Sequence, residues 1–220
     1  MGESRFNPTS LQGKFIVFDG PDGSGKSTQI SRFVEWCRAQ GLTVKEVREP
    51  GGTSIGEQIR EVLLATKNVE MTLPCEMLLY MASRAQLMEQ EVIPALDRGE
   101  IVVADRFISA TLVYQGYAGG LPVHWIEQVG EVALQEKWPD LTIIFDVDCE
   151  TASKRLNPLL DRMELKGQSF HKKVREGFLS LADHEPEKYA IIDSTAPIDA
   201  VEKGVHDLIQ ERFCGSFSSK

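Results

Sequence analysis

Five short strand-like runs, at 15–18, 44–47, 101–104, 141–147 and 189–192, are separated mostly by longer stretches whose apolar positions recur at helical spacing. This alternation predicts an α/β fold: five strands in a mostly parallel sheet, with helices on both faces. The stretch from 26 to 40 reads as a helix, ended by Gly41. Each strand-like run leads into residues able to do chemistry: Asp19, then Arg48-Glu49-Pro50, Asp105-Arg106, Asp146-Val147-Asp148 and Asp193. Ligands of parallel sheets sit beyond the carboxyl ends of the strands, so five polar ends on one edge predict a site there.

With 220 residues and no internal repeat or linker, the chain is expected to form a single domain over 1–220. The ends, 1–12 and 215–220, read as flexible tails. No apolar run approaches the roughly 18 residues that a spanning helix needs, and the polar N-terminus lacks the apolar core of a secretory signal. The four cysteines are scattered and form no C-x-x-C pair, which fits free thiols in a reducing cytoplasm. A net charge of −9 argues against a nucleic-acid partner. It leaves room for an anionic small ligand, because backbone amides and a few arginines set the field inside a cleft.

The densest chemical signal is Gly20-Pro21-Asp22-Gly23-Ser24-Gly25-Lys26-Ser27, which fills every fixed position of the phosphate-binding pattern G-x-x-x-x-G-K-[ST]. Its glycines allow a tight turn that points N–H groups at phosphate oxygens. Lys26 can reach the outer phosphates, and the Ser27 hydroxyl can ligate Mg²⁺. The loop lies between a strand and a helix, so the phosphates would meet a helix N-terminus, where the dipole favours anions. Gly20 to Thr28 are therefore expected to bind ATP.

A phosphate loop alone is compatible with motors, switches, transporters and kinases. Three further clusters narrow the choice: Arg48-Glu49-Pro50-Gly51-Gly52-Thr53, the run from Leu78 to Gln86 containing Tyr80 and Arg84, and Asp105-Arg106-Phe107 continuing to Tyr114-Gln115-Gly116. In order and spacing these make the chain resemble bacterial thymidylate kinases from about Phe15 to Asp193. Tyr80 and Arg84 are four apart on a predicted helix and share a face, so a ring can stack on a base while the arginine donates to its edge. Periodicity alone favours a core aromatic and a surface cation. The resemblance implies that they stack on thymine and contact its O4.

Arg106 has the planar fork that suits a monophosphate, and Asp105 is placed to hold Mg²⁺ through water. A structural ion pair between the two is the alternative. The resemblance further implies that Asp22 meets the deoxyribose 3′-hydroxyl, that Tyr114, Gln115 and Thr111 line sugar and base, that Arg48 and Pro50 border the acceptor, and that adenine rests near 193–197. It also implies a homodimer. Three positions depart from the family pattern: Ser109-Ala110 replaces the usual Asp-Ser, so polar contacts there are expected to be absent, and Asp19 stands where Glu is commoner.

An arginine aimed at a transferring phosphoryl group is worth about 10³–10⁵ in rate. The family that the chain resembles places this arginine either in the phosphate loop or in a lid. The loop here holds none, so the resemblance implies the lid type, with the mixed-charge segment 154–167 as the lid, Arg162 the first candidate and Arg155 the second. Pairing of Arg162 with Asp161 or Glu164 is the alternative. His124, His171, His184 and His206 lack metal-ligand spacing and read as surface residues; Trp36, Trp125 and Trp138 read as helix packing. Together these features imply phosphorylation of dTMP by Mg-ATP. The rivals are a kinase for another nucleoside monophosphate and a switch ATPase with no small acceptor.

Overall fold

The computed structural model describes residues 6–155 and 161–214. In chain order the main elements are β1 (Phe15–Asp19), α1 (Lys26–Ala39), β2 (Val44–Arg48), α2 (Ser54–Leu64), α3 (Leu73–Leu87), α4 (Ile93–Asp97), β3 (Ile101–Asp105), α5 (Ile108–Thr111), α6 (Val123–Leu134), β4 (Leu141–Asp146), α7 (Cys149–Arg155), α8 (Gln168–His184), β5 (Tyr189–Asp193) and α9 (Ile198–Cys214). The five strands form one parallel sheet in the order β2-β3-β1-β4-β5. The strands match the expected runs to within a residue at each end, and the helix expected over 26–40 is observed as Lys26–Ala39.

Period-two alternation sorts the strand side chains into two layers. Ile16 and Phe18 of β1 join Ile30, Phe33, Val34 and Cys37 of α1 and Val205 and Ile209 of α9 on one face. Phe15 and Val17 point the other way, against Met77, Met81 and Leu87 of α3 and Ile126 of α6. A third cluster places Val174 and Phe178 of α8 against Ile144, Tyr189, Tyr114 and Met163. The edge strand β2 carries Lys45, Glu46 and Arg48, charged residues that discourage further strand pairing.

Three expectations need correction. Residues 1–12 are not a tail throughout: Pro8–Leu11 forms a short 3₁₀ turn, Leu11 is fully buried, and Phe6 stacks on Trp36 at 6.1 Å. Burying Leu11 is worth about 2 kcal/mol, enough to hold the segment down. Trp125 is 51% exposed in the first turn of α6, unlike the packed Trp36 and Trp138. His206 is half-buried edge-on to Trp36 at 4.8 Å. The end at 215–220 and the lid stretch 156–160 lie outside the described residues.

Candidate active site

Two close approaches fix the phosphate loop. A Cβ on Gly20 would lie 2.6 Å from the Phe145 carbonyl oxygen, and one on Gly23 would lie 2.5 Å from that of Ala152. Both glycines also have positive φ, so neither tolerates a side chain. The loop is thereby clasped between β4 and α7. No side chain caps α1, so its first N–H groups face the loop's interior, the arrangement that binds phosphate. Lys26 Nζ donates to the carbonyls of Gly20 (3.2 Å) and Pro21 (2.9 Å) and to Ser24 Oγ (3.3 Å).

Burial lowers the Lys26 ammonium to about 8, with Arg106 adding to the shift and Asp22, Asp105 and Asp19 opposing it. A polyphosphate favours the charged form. ATP binding above about pH 8 should therefore take up protons, and affinity should fall as pH rises past that value. Calorimetry at about pH 8.5 in buffers of different ionisation heat reads this directly. Binding without proton uptake would contradict it.

Lys26, Ser27, Thr28, Asp105 and Arg155 line a common cleft of about 810 Å³ with the loop. Ser27 Oγ and the Asp105 carboxylate, both hard oxygen donors, meet there. The Asp105 side chain makes no hydrogen bond or ion pair among the described residues, and Arg106 pairs with Asp19 and Asp22 instead, so the alternative of an Asp105–Arg106 pair does not hold. One hydroxyl and one carboxylate, with phosphates and water completing the shell, fit Mg²⁺ rather than a metal needing an all-protein cage. Accordingly, no group of three or more His, Cys, Asp or Glu side chains is placed to hold a metal among the described residues. A neighbouring hollow of about 560 Å³ is lined by Thr28, Gln29, Arg155, Ser194, Ala196 and Ile198, beside the loop expected to hold adenine. Arg155 borders both spaces and donates from Nη1 to the Ser194 carbonyl at 3.2 Å.

On the other side of Arg106 lies a cavity of about 450 Å³. Asp22, Tyr80, Arg84, Arg106, Thr111, Tyr114 and Gln115 all line it, together with Glu49, Phe107, Ala110, Asp161 and Met163. Arg106 is its pivot. Its backbone takes φ of 66°, a left-handed conformation costing a non-glycine residue about 1–2 kcal/mol. The conformation is held by a bond from its N–H to the Phe18 carbonyl (3.0 Å). The guanidinium donates to Asp19 Oδ1 (3.2 Å), to the Gly20 carbonyl (3.0 Å) and to Asp22, and it lies 5.3 Å over the Tyr114 ring.

Burial alone would raise the Asp22 carboxyl, but Arg106, Lys26 and the Tyr114 hydroxyl (3.1 Å) together hold it down at about 2. The expected loss of polar contact at Ser109 does not occur. Its Oγ donates to Asp19 Oδ2 at 2.5 Å.

Arg84 is not a surface cation; it is 1% exposed. Its Nε and Nη2 bind the buried Glu49 carboxylate, Nη2 also reaches Thr111 Oγ1 (3.1 Å), and Phe107 packs 5.1 Å away. Burial pushes Glu49 up to about 7 against the pull of Arg84. Glu49 was overlooked as a site residue although it stands inside the Arg48–Thr53 cluster. Glu76 was overlooked too, although it precedes Tyr80 by one helical turn.

Three expected residues sit elsewhere. Arg48 lines a separate cleft because Glu57, fixed by the Gly52 N–H (2.7 Å), captures its guanidinium at 2.7 Å. Pro50 is buried outside the cavity lining, and its carbonyl accepts from Arg60 at 2.9 Å. Arg162 does not line the phosphate-loop cleft and pairs with neither Asp161 nor Glu164. Its Nε donates to the Leu63 carbonyl (2.7 Å) and its Nη1 to Glu76 Oε2 (2.6 Å).

Comparison with known proteins agrees with this geometry. The sequence model of the family described as thymidylate kinase matches residues 18–205. The thymidylate kinase of Caldanaerobacter subterraneus subsp. tengcongensis is 43% identical over 207 residues, covering 94% of this chain and 99% of the relative. That of an Exiguobacterium species is 46% identical over 204 residues, covering 92% and 96%. The crystal structure of thymidylate kinase from Ehrlichia chaffeensis superimposes with a TM-score of 0.73 at 32% identity, over 90% of this chain and 98% of the other. The five-stranded parallel sheet with its phosphate loop is a P-loop NTPase fold, and the chain belongs to the thymidylate kinase family.

Proposed function

We propose that this chain transfers the γ-phosphoryl group of ATP to dTMP, giving ADP and dTDP, as a single kinase domain spanning 1–220. The observation carrying this reading is that Asp22, held by Arg106, lines two cavities, one built from the phosphate loop and one lined by Tyr80, Arg84, Arg106 and Gln115. Incubation with both nucleotides should yield dTDP and ADP in equal amounts. ADP without dTDP would favour the switch ATPase.

The loop amides and Lys26 bind the donor phosphates, Ser27 and Asp105 hold Mg²⁺, and adenine lies along Ser194–Ala196. A Mg²⁺ held by Ser27 and Asp105 would supply positive charge against the donor phosphates. Arg106 grips the acceptor phosphate with its fork. Tyr80 stacks on thymine. Glu49 occupies two edges of the Arg84 guanidinium, leaving Nη1, beside the weak acceptor Met81 Sδ (3.1 Å), to donate to a base carbonyl. Asp22 and Tyr114 meet the sugar, and Thr111 and Gln115 border the base. The attacking oxygen of dTMP is already ionised at neutral pH, so this reaction is governed by positioning and positive charge rather than by a strong base.

Of the two lid arginines, Arg155 is the one beside the phosphate loop, and we assign it to the migrating phosphoryl group. Arg162 serves the acceptor side. Arg155→Ala should lower kcat at least about a hundredfold with little change in the KM for dTMP, whereas Arg162→Ala should act mainly on that KM. The reverse pattern in steady-state kinetics would exchange the two roles.

The free thiols of Cys37, Cys75 and Cys149 support a cytoplasmic location. Leu78 of α3 (52% exposed) and Trp125 and Val132 of α6 (51% and 79%) support assembly as a homodimer. No membrane or nucleic-acid partner enters this reading.

A further inference from the structure

Glu76 takes no part in the chemistry described above, yet it is among the most heavily engaged side chains in the protein. It lies on α3 one turn before Tyr80 and two turns before Arg84, so the three share a helix face. Its carboxylate is 2% exposed and accepts from three elements at once. Gln115 Nε2 of the acceptor cavity donates to Oε1 at 2.8 Å. From the segment after the undescribed stretch, Arg162 Nη1 donates to Oε2 at 2.6 Å, and Lys166 Nζ reaches both oxygens at 3.0 and 3.2 Å.

That segment roofs the acceptor cavity. Asp161 and Met163 line it, and Phe170, 4.8 Å beneath the Lys166 ammonium, tilts against Tyr114 at 6.1 Å. We propose that Glu76 is a positioning residue for the acceptor: one buried carboxylate orients Gln115 at the cavity wall and docks the roof through Arg162 and Lys166. The assignment rests on the reading of this cavity as the dTMP site.

The charges explain why a carboxylate is needed. Two cations converge on a buried point, and one anion between them turns mutual repulsion into attraction. Donation of the Gln115 amide nitrogen to Glu76 also fixes which end of that amide faces the cavity. Among the described residues the side chains bonded to Glu76 are Gln115, Arg162 and Lys166, none of which lines the phosphate-loop cleft, so losing its charge should leave ATP binding intact.

The test compares Glu76→Gln, Lys166→Gln and the double variant by steady-state kinetics with dTMP and ATP. Glu76→Gln should raise the KM for dTMP at least about tenfold while the KM for ATP stays within about twofold, since a charged hydrogen-bond hub is lost on the acceptor side alone. Because the two residues act through one contact, Lys166→Gln should add less than about twofold in the Glu76→Gln background. Equal shifts in both KM values, or fully additive losses, would overturn the proposal. Should Glu76→Gln not fold, Lys166→Gln alone must show the same one-sided effect on dTMP, and its absence overturns the proposal equally. A wild-type protein that makes no dTDP would instead reject the cavity assignment, before any variant is compared.

Discussion

Lys26→Ala is expected to lower dTDP formation about a thousandfold, the largest effect of any single substitution considered for this chain. Lys26 is the one ammonium buried inside the phosphate loop, with Nζ among the carbonyls of Gly20 and Pro21. Alanine removes the point charge that would follow the outer phosphates through transfer. The loop loses three hydrogen bonds from Nζ but keeps other holds: Gly20 N–H is tied to Asp19 Oδ1 at 2.9 Å, and the glycine contacts with β4 and α7 are independent of the lysine. Binding of dTMP, measured by calorimetry without ATP, should therefore survive. Retained turnover would remove Lys26 from the donor site, and loss of dTMP binding would show that the loop had collapsed.

Substitution of Arg106 should produce two separable losses. In Arg106→Ala, Asp19 remains fully buried with only Ser109 and the Gly20 amide as partners, and Asp22 loses its cation. Removing one partner from a buried ion-pair network costs about 3–5 kcal/mol, equivalent to a fall in Tm of about 10 °C for a chain of this size. The acceptor phosphate also loses its fork, so the KM for dTMP should rise at least about a hundredfold. Arg106→Lys distinguishes the effects: it restores charge to the two carboxylates and recovers most of the stability, yet it lacks the bidentate geometry and should keep a high KM. A lysine variant with normal KM would mean that Arg106 serves the fold alone.

Much of this site is legible in the sequence because it is written in local patterns. The phosphate loop is a contiguous motif between a strand and a helix. Tyr80 and Arg84 are joined by one helical turn, and Asp105-Arg106 ends a strand at the sheet's ligand-binding edge. What stays hidden depends on partners distant in sequence. Whether Arg84 is a surface cation or a buried one is decided by Glu49, 35 residues away. Whether Arg162 faces the donor or the acceptor is decided by Glu76, 86 residues away. Ser109 is a similar case, since the partner of its hydroxyl is Asp19, 90 residues away. Arg48 is drawn aside by Glu57, nine residues on and outside the Arg48–Thr53 cluster.

The central claim is that the cavity around Tyr80 and Arg84 selects thymidylate as phosphoryl acceptor. It is tested most directly by measuring ADP release from Mg-ATP with dTMP, dUMP, CMP, AMP, GMP and no acceptor, each assayed separately. The account predicts strong stimulation by dTMP, far above CMP and AMP, which carry an amino group in place of the thymine O4 carbonyl, and far above GMP, whose O6 sits on a larger two-ring base. A flat response across acceptors, or preference for a purine monophosphate, would contradict it.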